Sequence, residues 1–351
     1  MQLETIITAS LPRTRCPDCG VKTVAVPWAE PHGRFTLLFE SFALRVLKMA
    51  ASQKAAADLL KLDWHTAQEV MARGVQRGLG RRDVSQVRGV GMDEKSFKRG
   101  QSYVSILTEA DADGTEPRVL EVVPERTAAA GALLLEQALG AGGCAALETV
   151  AMDMSAGYEN AVKRLAPQAW IVHDRFHVMK LLNDAVDQVR RAEHKAWKKD
   201  GDNRLAGTRY LWLRSPASIG EEQAESFEKL RRSKSRTARA WGLKELFREV
   251  YEAPGFEAAY ALYRRWRGWA LRSRITPMKK VAQTIHRRWL RVLWWHIRRV
   301  SNGPAEGFNS AIQSVKSAAR GFRSFANYRV RILFRCGKLD MMPALPGMSC
   351  H

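Results

Sequence analysis

Residues 148–178 read "ETVAMDMSAGYENAVKRLAPQAWIVHDRFHV", and the apolar period changes along them. The run Thr149–Met152 is short and apolar, as a buried strand is, and it stops on Asp153. From Ala156 the apolar residues take helical spacing, with Pro167 near the end of the helix. "AWIV" at 169–172 is a second apolar strand, followed by His173 and Asp174. Helical spacing then resumes through "HVMKLLNDAVDQVRR" to Arg191. Strand, helix, strand and helix in succession give an α/β layout.

The chain upstream extends the pattern. "VRGVGMDEKS" at 87–96 is a strand candidate, "QSYVSILTEADADG" at 101–114 alternates and ends in an Asp-Gly turn, and "PRVLEVVPE" at 117–125 is a third short strand. "RTAAAGALLLEQALGAG" at 126–142 reads as a helix that Gly140 stops. Three strands, a helix, a strand, a helix, a strand and a helix is the order of a ribonuclease-H-like fold with a mixed sheet. Residues 188–300 have helical spacing almost throughout and read as a large all-helical insertion.

Two of the strands carry an acid in the same setting. Asp93 follows "VRGVGM" and Asp153 follows "LETVAM". A carboxylate at a buried strand is costly unless paired or metal-bound. Either Asp alone has a plainer explanation as a strand-end cap or turn. If the two strands are neighbours, both carboxylates reach one edge, and their hard oxygens suit two Mg²⁺ or Mn²⁺ ions. Such a pair of ions serves phosphodiester chemistry. A third acid is expected on a helix far downstream. In "SNGPAEGFNSAIQSVKSAARGF" at 301–322, Asn302 or Gly303 caps, Pro304 opens the helix and Glu306 falls in its first turn. A first-turn Glu is also a common capping residue. Here a polar stripe follows it: Glu306, Asn309, Gln313, Lys316 and Arg320 share one face, with Lys316 and Arg320 placed to grip DNA. Lys95, Lys98 and Arg99 form a basic lip beside Asp93, where a phosphate backbone would pass, while Glu94 alternates to the other side of the strand. Asp174 is the reserve carboxylate. His173 and His177 flank it at the spacing of helix-face neighbours, either as a metal pair or as supports for the Asp153 strand or DNA contacts.

Towards the amino terminus, "SQKAAADLLKLDWHTAQEVMARGV" at 52–75 reads as a helix, a short break and a second helix. Ser52 caps the first, which turns Ala55, Ala56, Leu59 and Leu60 inward. Thr66 lies at the start of the second, which runs to about Val75. This is the helix-turn-helix pattern, with His65, Thr66, Gln68 and Glu69 as candidate base readers. Cys16 and Cys19 in "RCPDCG" make a knuckle that is half of a tetrahedral Zn²⁺ site, and His32 is a candidate third ligand. Two readings stay open: a zinc site that borrows ligands, and a knuckle left by an amino-terminal truncation.

Composition narrows the partner. The 351 residues carry 57 Lys and Arg against 36 Asp and Glu, a net charge of +21. From Tyr260 onward there are 19 basic residues against two acids, Glu306 and Asp340, together with 5 of the 11 tryptophans. Such a surplus points to a polyanion, nucleic acid above all. Most of these Trp side chains are expected to be core anchors, with the Arg side chains outside them. Five scattered cysteines argue against a disulfide framework. No basic start followed by a long apolar run opens the chain, and no apolar stretch reaches a membrane span, so a cytoplasmic, nucleoid-associated protein without a membrane partner is expected.

Several stretches together resemble the bacterial insertion-sequence transposases of the ISL3 family. They are "CPDCGVKTVAVPWAEPHGRFT", "GMDEKSFKRGQSYVSILTEAD", the run from "VAMDMSAGYENAVKRL" through "HDRFHVMKLLNDAVDQVRR", "GTRYLWLRSP" and "SNGPAEGFNSAIQSVKSAARGFRSFANYRVRILF". The resemblance spans nearly the whole chain from Cys16. It implies a catalytic Asp-Asp-Glu triad on Asp93, Asp153 and Glu306, on a ribonuclease-H-like core interrupted by a helical insertion. Family members usually carry an earlier Cys-x-x-Cys, which has no counterpart before Cys16. The expected organisation is 1–35 partial zinc knuckle, 36–87 helix-turn-helix, 88–187 first part of the core, 188–300 insertion, and 301–351 the Glu helix with a basic tail. The expected activity is metal-dependent cleavage and strand transfer at terminal inverted repeats, by a homo-oligomer assembled on DNA. The alternatives are an inactive relic that only binds DNA and a stand-alone nuclease of the same fold.

Overall fold

The structure is a computed structural model that describes residues 6–18, 20–30, 33–98, 102–110, 117–298, 300 and 303–344; for 303–306 it describes the backbone alone. In chain order the elements are strands β1 (Arg13–Cys16) and β2 (Gly20–Thr23), then helices α1 (Leu37–Met49), α2 (Gln53–Leu60) and α3 (Trp64–Arg81). Strands β3 (Gly89–Lys98), β4 (Ser102–Glu109) and β5 (Val119–Pro124) follow. Next come α4 (Ala128–Ala146), β6 (Thr149–Met152), α5 (Ala156–Leu165), β7 (Trp170–His173) and α6 (Arg175–Lys199). The remaining helices are α7 (Arg209–Leu213), α8 (Glu221–Arg231), α9 (Arg236–Glu252), α10 (Phe256–Arg272), α11 (Thr276–His286), α12 (Trp289–Leu293), α13 (Trp295–Arg298), α14 (Gly303–Ala318) and α15 (Phe325–Cys336). The chain divides into two compact units, residues 1–82 with 314–351 and residues 83–313.

In the first unit β1 and β2 form an antiparallel hairpin. The helices after it begin on side-chain caps: Thr36 accepts from the Phe39 N–H, Ser52 from Ala55 and Asp63 from Thr66. The inward face of α2 is Ala56, Ala57 and Leu60, whereas Ala55 and Leu59 are exposed. The stripe expected from spacing is one position out, because α2 is short and packs on both α1 and α3. The helix after the break starts at Trp64 and reaches Arg81, beyond Val75. Its extra turns are held from the carboxyl-terminal segment: Gly74 and Gly78 allow Met341 and Leu339 to lie close, and Arg81 pairs with Asp340 at 3.0 Å. Arg77 joins Glu30, Glu40 and the Met341 carbonyl, so one guanidinium ties three segments.

The second unit is built on a mixed five-stranded sheet in the order β5-β4-β3-β6-β7. β3 pairs antiparallel with β4 and parallel with β6, and β6 pairs parallel with β7. Val90, Met92, Val150, Met152 and Ile171 pack with α4 and α5 into a buried cluster. Gly131 permits that packing, since a Cβ there would stand 3.0 Å from Tyr158 and 3.5 Å from the Met92 methyl. Gly140 does interrupt α4, at φ 62° and ψ −175°, but a further stretch continues to Ala146. α4 is long and apolar enough to cross a membrane by length and composition, yet Ala130, Leu134, Leu135, Ala138 and Leu139 lie in the core.

Between β7 and α14 every described element is helical. α6, α9, α10, α11 and α12 share an apolar core that includes Val186, Phe247, Trp266, Ile285 and Leu293. Trp266 is fully buried against Phe247, Trp289 stacks on Tyr260 and Tyr263, Trp294 meets Trp170 edge-on and Trp295 meets Tyr251. Four of the five carboxyl-terminal tryptophans are therefore anchors, as their spacing suggests; Trp269 is more exposed. These helices reach the sheet layer through Glu159 of α5. Burial opposes ionisation of Glu159, but His173, Arg288 and Arg291 outweigh it and hold the carboxyl at about 2.

Candidate active site

Strand register brings the predicted carboxylates together. Met92 is the Cα partner of Met152, and Met152 is the partner of His173. The next residues, Asp93, Asp153 and Asp174, therefore occupy one row across three parallel strands, roughly 4.8 Å apart from strand to strand. Met92 and Met152 face α4 and α5, so by alternation Asp93 belongs to the opposite face, while Asp153 follows the end of β6.

Each carboxylate is held by local backbone. Asp93 is 8% exposed; its Oδ1 accepts from the Glu94 N–H at 2.8 Å and its Oδ2 from Asn309 Nδ2 at 2.6 Å. Asp153 Oδ1 accepts from the Ser155 N–H at 3.0 Å, a turn that also presents Ser155 as the cap of α5. Burial pushes the Asp153 pKa up; the charges of Glu94 and Asp93 add to that, while His177 and the Ser155 hydrogen bond oppose it. Asp174 precedes α6, and its Oδ2 lies 3.2 Å from His177 Nδ1. That hydrogen bond raises the His177 pKa against burial, with further help from the charges of Asp174, Asp93 and Asp153. His177 thus lies beside Asp174 and feels the charges of Asp93 and Asp153.

The pairing of His173 with His177 does not survive. His173 ends β7, fully buried and 3.5 Å from Glu159, whereas His177 is on α6 beside Asp174. Four residues separate them in sequence, but a strand-to-helix junction falls between them, so they share no helix face. Glu94 does turn away from Asp93 and pairs with Arg126 at 2.9 Å. Beneath it the buried Tyr158 hydroxyl meets Ser105 Oγ at 2.5 Å.

Glu306 falls in the first turn of α14, and its side chain lies outside the described residues. Asn309, one turn later on the same helix, contacts Asp93. Spacing puts Asn309 on the polar stripe but gives it no partner at the site; the fold supplies one. Arg320 does not belong to that stripe: α14 ends at Ala318, and Arg320 follows in the left-handed region at φ 51°. Lys95 is half-buried and Lys98 exposed on β3, while Arg99 lies outside the described residues. Among the described residues no group of three His, Cys, Asp or Glu side chains forms a ready metal cage.

In the first unit, His65 and Glu69 are exposed on α3. Thr66 and Gln68 are buried instead, at 5% and 9%. Thr66 donates to Asp63 at 2.5 Å and accepts from Arg34 at 3.0 Å, so it belongs to the helix cap and not to a base-reading surface. Cys16 closes β1, while Cys19 and His32 lie outside the described residues.

A family model described as a transposase matches residues 90–332, which takes in Asp93, Asp153 and Glu306. The chain belongs to the ISL3 family of transposases. A second model, the helix-turn-helix domain of transposase family ISL3, matches residues 24–75 of this transposase. The transposase is 29% identical to the transposase for insertion sequence element IS1557 of Mycobacterium tuberculosis, over 99% of this chain and 82% of the relative. It is 24% identical to the transposase for IS1001 of Bordetella parapertussis, over 93% of this chain and 80% of that one. A solved structure, the Drosophila P element transposase strand transfer complex, aligns with a TM-score of 0.49 at 10% identity, covering 89% of this chain and 94% of the other. The protein is a DNA transposase, an enzyme of DNA strand cleavage and transfer with a helix-turn-helix DNA-binding domain.

Proposed function

We propose that this transposase binds the terminal inverted repeats of its element and cuts and joins DNA through divalent ions held by Asp93, Asp153 and Glu306. The observation that carries the reading is the row formed by the Met92–Met152 register, together with the Asn309 hydrogen bond that joins α14 to Asp93. The donor set fits Mg²⁺ or Mn²⁺. It consists of hard carboxylate oxygens, one of them desolvated beside like charge, and such a group gains from a cation. When bound, two such ions activate a water or a 3′-hydroxyl and stabilise the leaving oxygen of a phosphodiester. The chain's own residues do the rest. The Glu94 N–H and Asn309 fix both oxygens of Asp93, and the Ser155 turn fixes Asp153. His177, its pKa raised, offsets part of the negative charge of the row.

The fold we infer for the second unit is ribonuclease-H-like, with the helical residues 188–300 as an insertion; strand order and directions support it. Residues 1–35 and 36–87 are the knuckle and the helix-turn-helix of the same reading, and residues 301–351 supply the Glu306 helix and a basic tail. Zn²⁺ at Cys16 and Cys19 would need ligands from elsewhere. DNA contact by the exposed His65 end of α3 supplies recognition of the terminal sequence. Joining two ends calls for a homo-oligomer on DNA, in the cytoplasm where the nucleoid lies.

The test is incubation of the protein with labelled terminal-repeat duplex and Mg²⁺ or Mn²⁺, beside Asp93→Ala. Cleavage and joining at the repeat end, abolished in the variant, supports the proposal. Binding without cleavage by either protein would make it a DNA-binding relic, and cleavage indifferent to the repeat would make it a nuclease.

A further inference from the structure

The first unit contains a cavity of about 740 Å³ that the active-site reading does not use. Its walls are the starts of α2 and α3, the turn after α14, and α15. Lys54, Arg320, Arg323 and Arg331 line it, and no Asp or Glu does. Lys54 is paired with Asp58 at 2.5 Å on its own helix. Arg331 is different. Its guanidinium is partly buried, its hydrogen-bond partner is the Met71 sulfur at 3.6 Å, and it has no carboxylate among the described residues. A desolvated guanidinium without an anion is a costly arrangement, relieved when an anion enters. Burial and the neighbouring Arg335 charge both push its pKa down, as expected of a cation lacking a counter-charge. Arg320 is presented by the helix-ending turn, in which the Gly321 N–H bonds the Lys316 carbonyl at 2.9 Å and Gly321 takes φ 96°. Trp64, also on the lining, is 40% exposed and meets His65 edge-on.

We propose that this cavity seats the sugar–phosphate backbone of the DNA bordering the groove entered by α3, with Arg320 and Arg331 on phosphates and Trp64 against the sugar edge. The DNA interface then extends beyond residues 24–75, the span of the helix-turn-helix match, into residues 320–331. Backbone contacts of this kind set register and orientation without reading bases. The proposal rests on the reading that the start of α3 meets DNA.

The experiment is fluorescence anisotropy of the full chain with a terminal-repeat duplex and an unrelated duplex across a salt series. Wild type is compared with Arg320→Gln and Arg331→Gln, with thermal melting as the check on folding. Arg320 is exposed, so its variant keeps the fold even if Arg331→Gln does not. The expected result is a fall of about 0.9 in the slope of log K against log salt for each phosphate no longer neutralised, equal on both duplexes. Unchanged slopes in a folded Arg320→Gln protein overturn the cavity while leaving α3 intact as the DNA-binding helix. Weakened discrimination between duplexes without a slope change overturns the backbone assignment. Absence of binding by wild type to either duplex overturns both this proposal and the reading beneath it.

Discussion

At the scale of single residues, the site is a row of acids whose placement depends on their partners. Asn309 donates to Asp93 at 2.6 Å, so on the proposed role of Asp93 as a metal ligand Asn309→Ala should lower the cleavage rate about 10- to 100-fold, with DNA binding unchanged. At Asp153 stability and the proposed role conflict. Its pKa is raised, so its ionised form costs the folded state free energy at neutral pH. Asp153→Asn should therefore melt at a higher temperature than wild type in metal-free buffer; a lower melting temperature would refute the assigned desolvation. Glu159 runs the other way. Its folded pKa of about 2 lies below its ordinary 4.5, so its contribution is present above pH 4.5 and is lost as pH falls towards 2. Glu159→Gln leaves Arg288 and Arg291 without their carboxylate and should cost about 3 kcal/mol in urea unfolding at pH 7. The variant's stability should fall less steeply than that of wild type between about pH 5 and 2.

At the scale of elements, legibility follows period. The three strands before α4, the two parallel strands and the helices between them are readable because each apolar run ends at a turn or an acid. The row of carboxylates is readable because "GMD" and "AMD" repeat one pattern, and parallel pairing of Met92 with Met152 turns that repetition into neighbourhood. Spacing alone fails where an element changes between two residues. His173 and His177 look like helix neighbours until a strand end falls between them, and Arg320 looks like part of a stripe until α14 ends two residues before it. Thr66 and Gln68 are buried for another reason, since polarity along a helix does not reveal which polar groups the cap and the core consume. Packing of α4 on α5 is testable at this scale. Gly131→Val would crowd Tyr158, Ala161 and the Met92 methyl, one residue from Asp93. It should destabilise the fold by about 1–3 kcal/mol in chemical denaturation and slow cleavage through the displaced strand.

At the scale of the whole molecule, basic charge and the row of acids are divided along the chain. The carboxylates of the row come from residues 93–174, whereas the basic surplus gathers after Tyr260, where it can neutralise phosphates. That distribution predicts a steeply salt-dependent DNA affinity, with the proposed cleavage resting on a few acids. The most direct measurement is cleavage of a terminal-repeat duplex in Mg²⁺ by Asp153→Asn, with binding followed in the same reactions. The account predicts that the variant binds with wild-type affinity and cuts about a thousandfold more slowly or not at all. Cutting at the wild-type rate by a protein without the Asp153 carboxylate would contradict it.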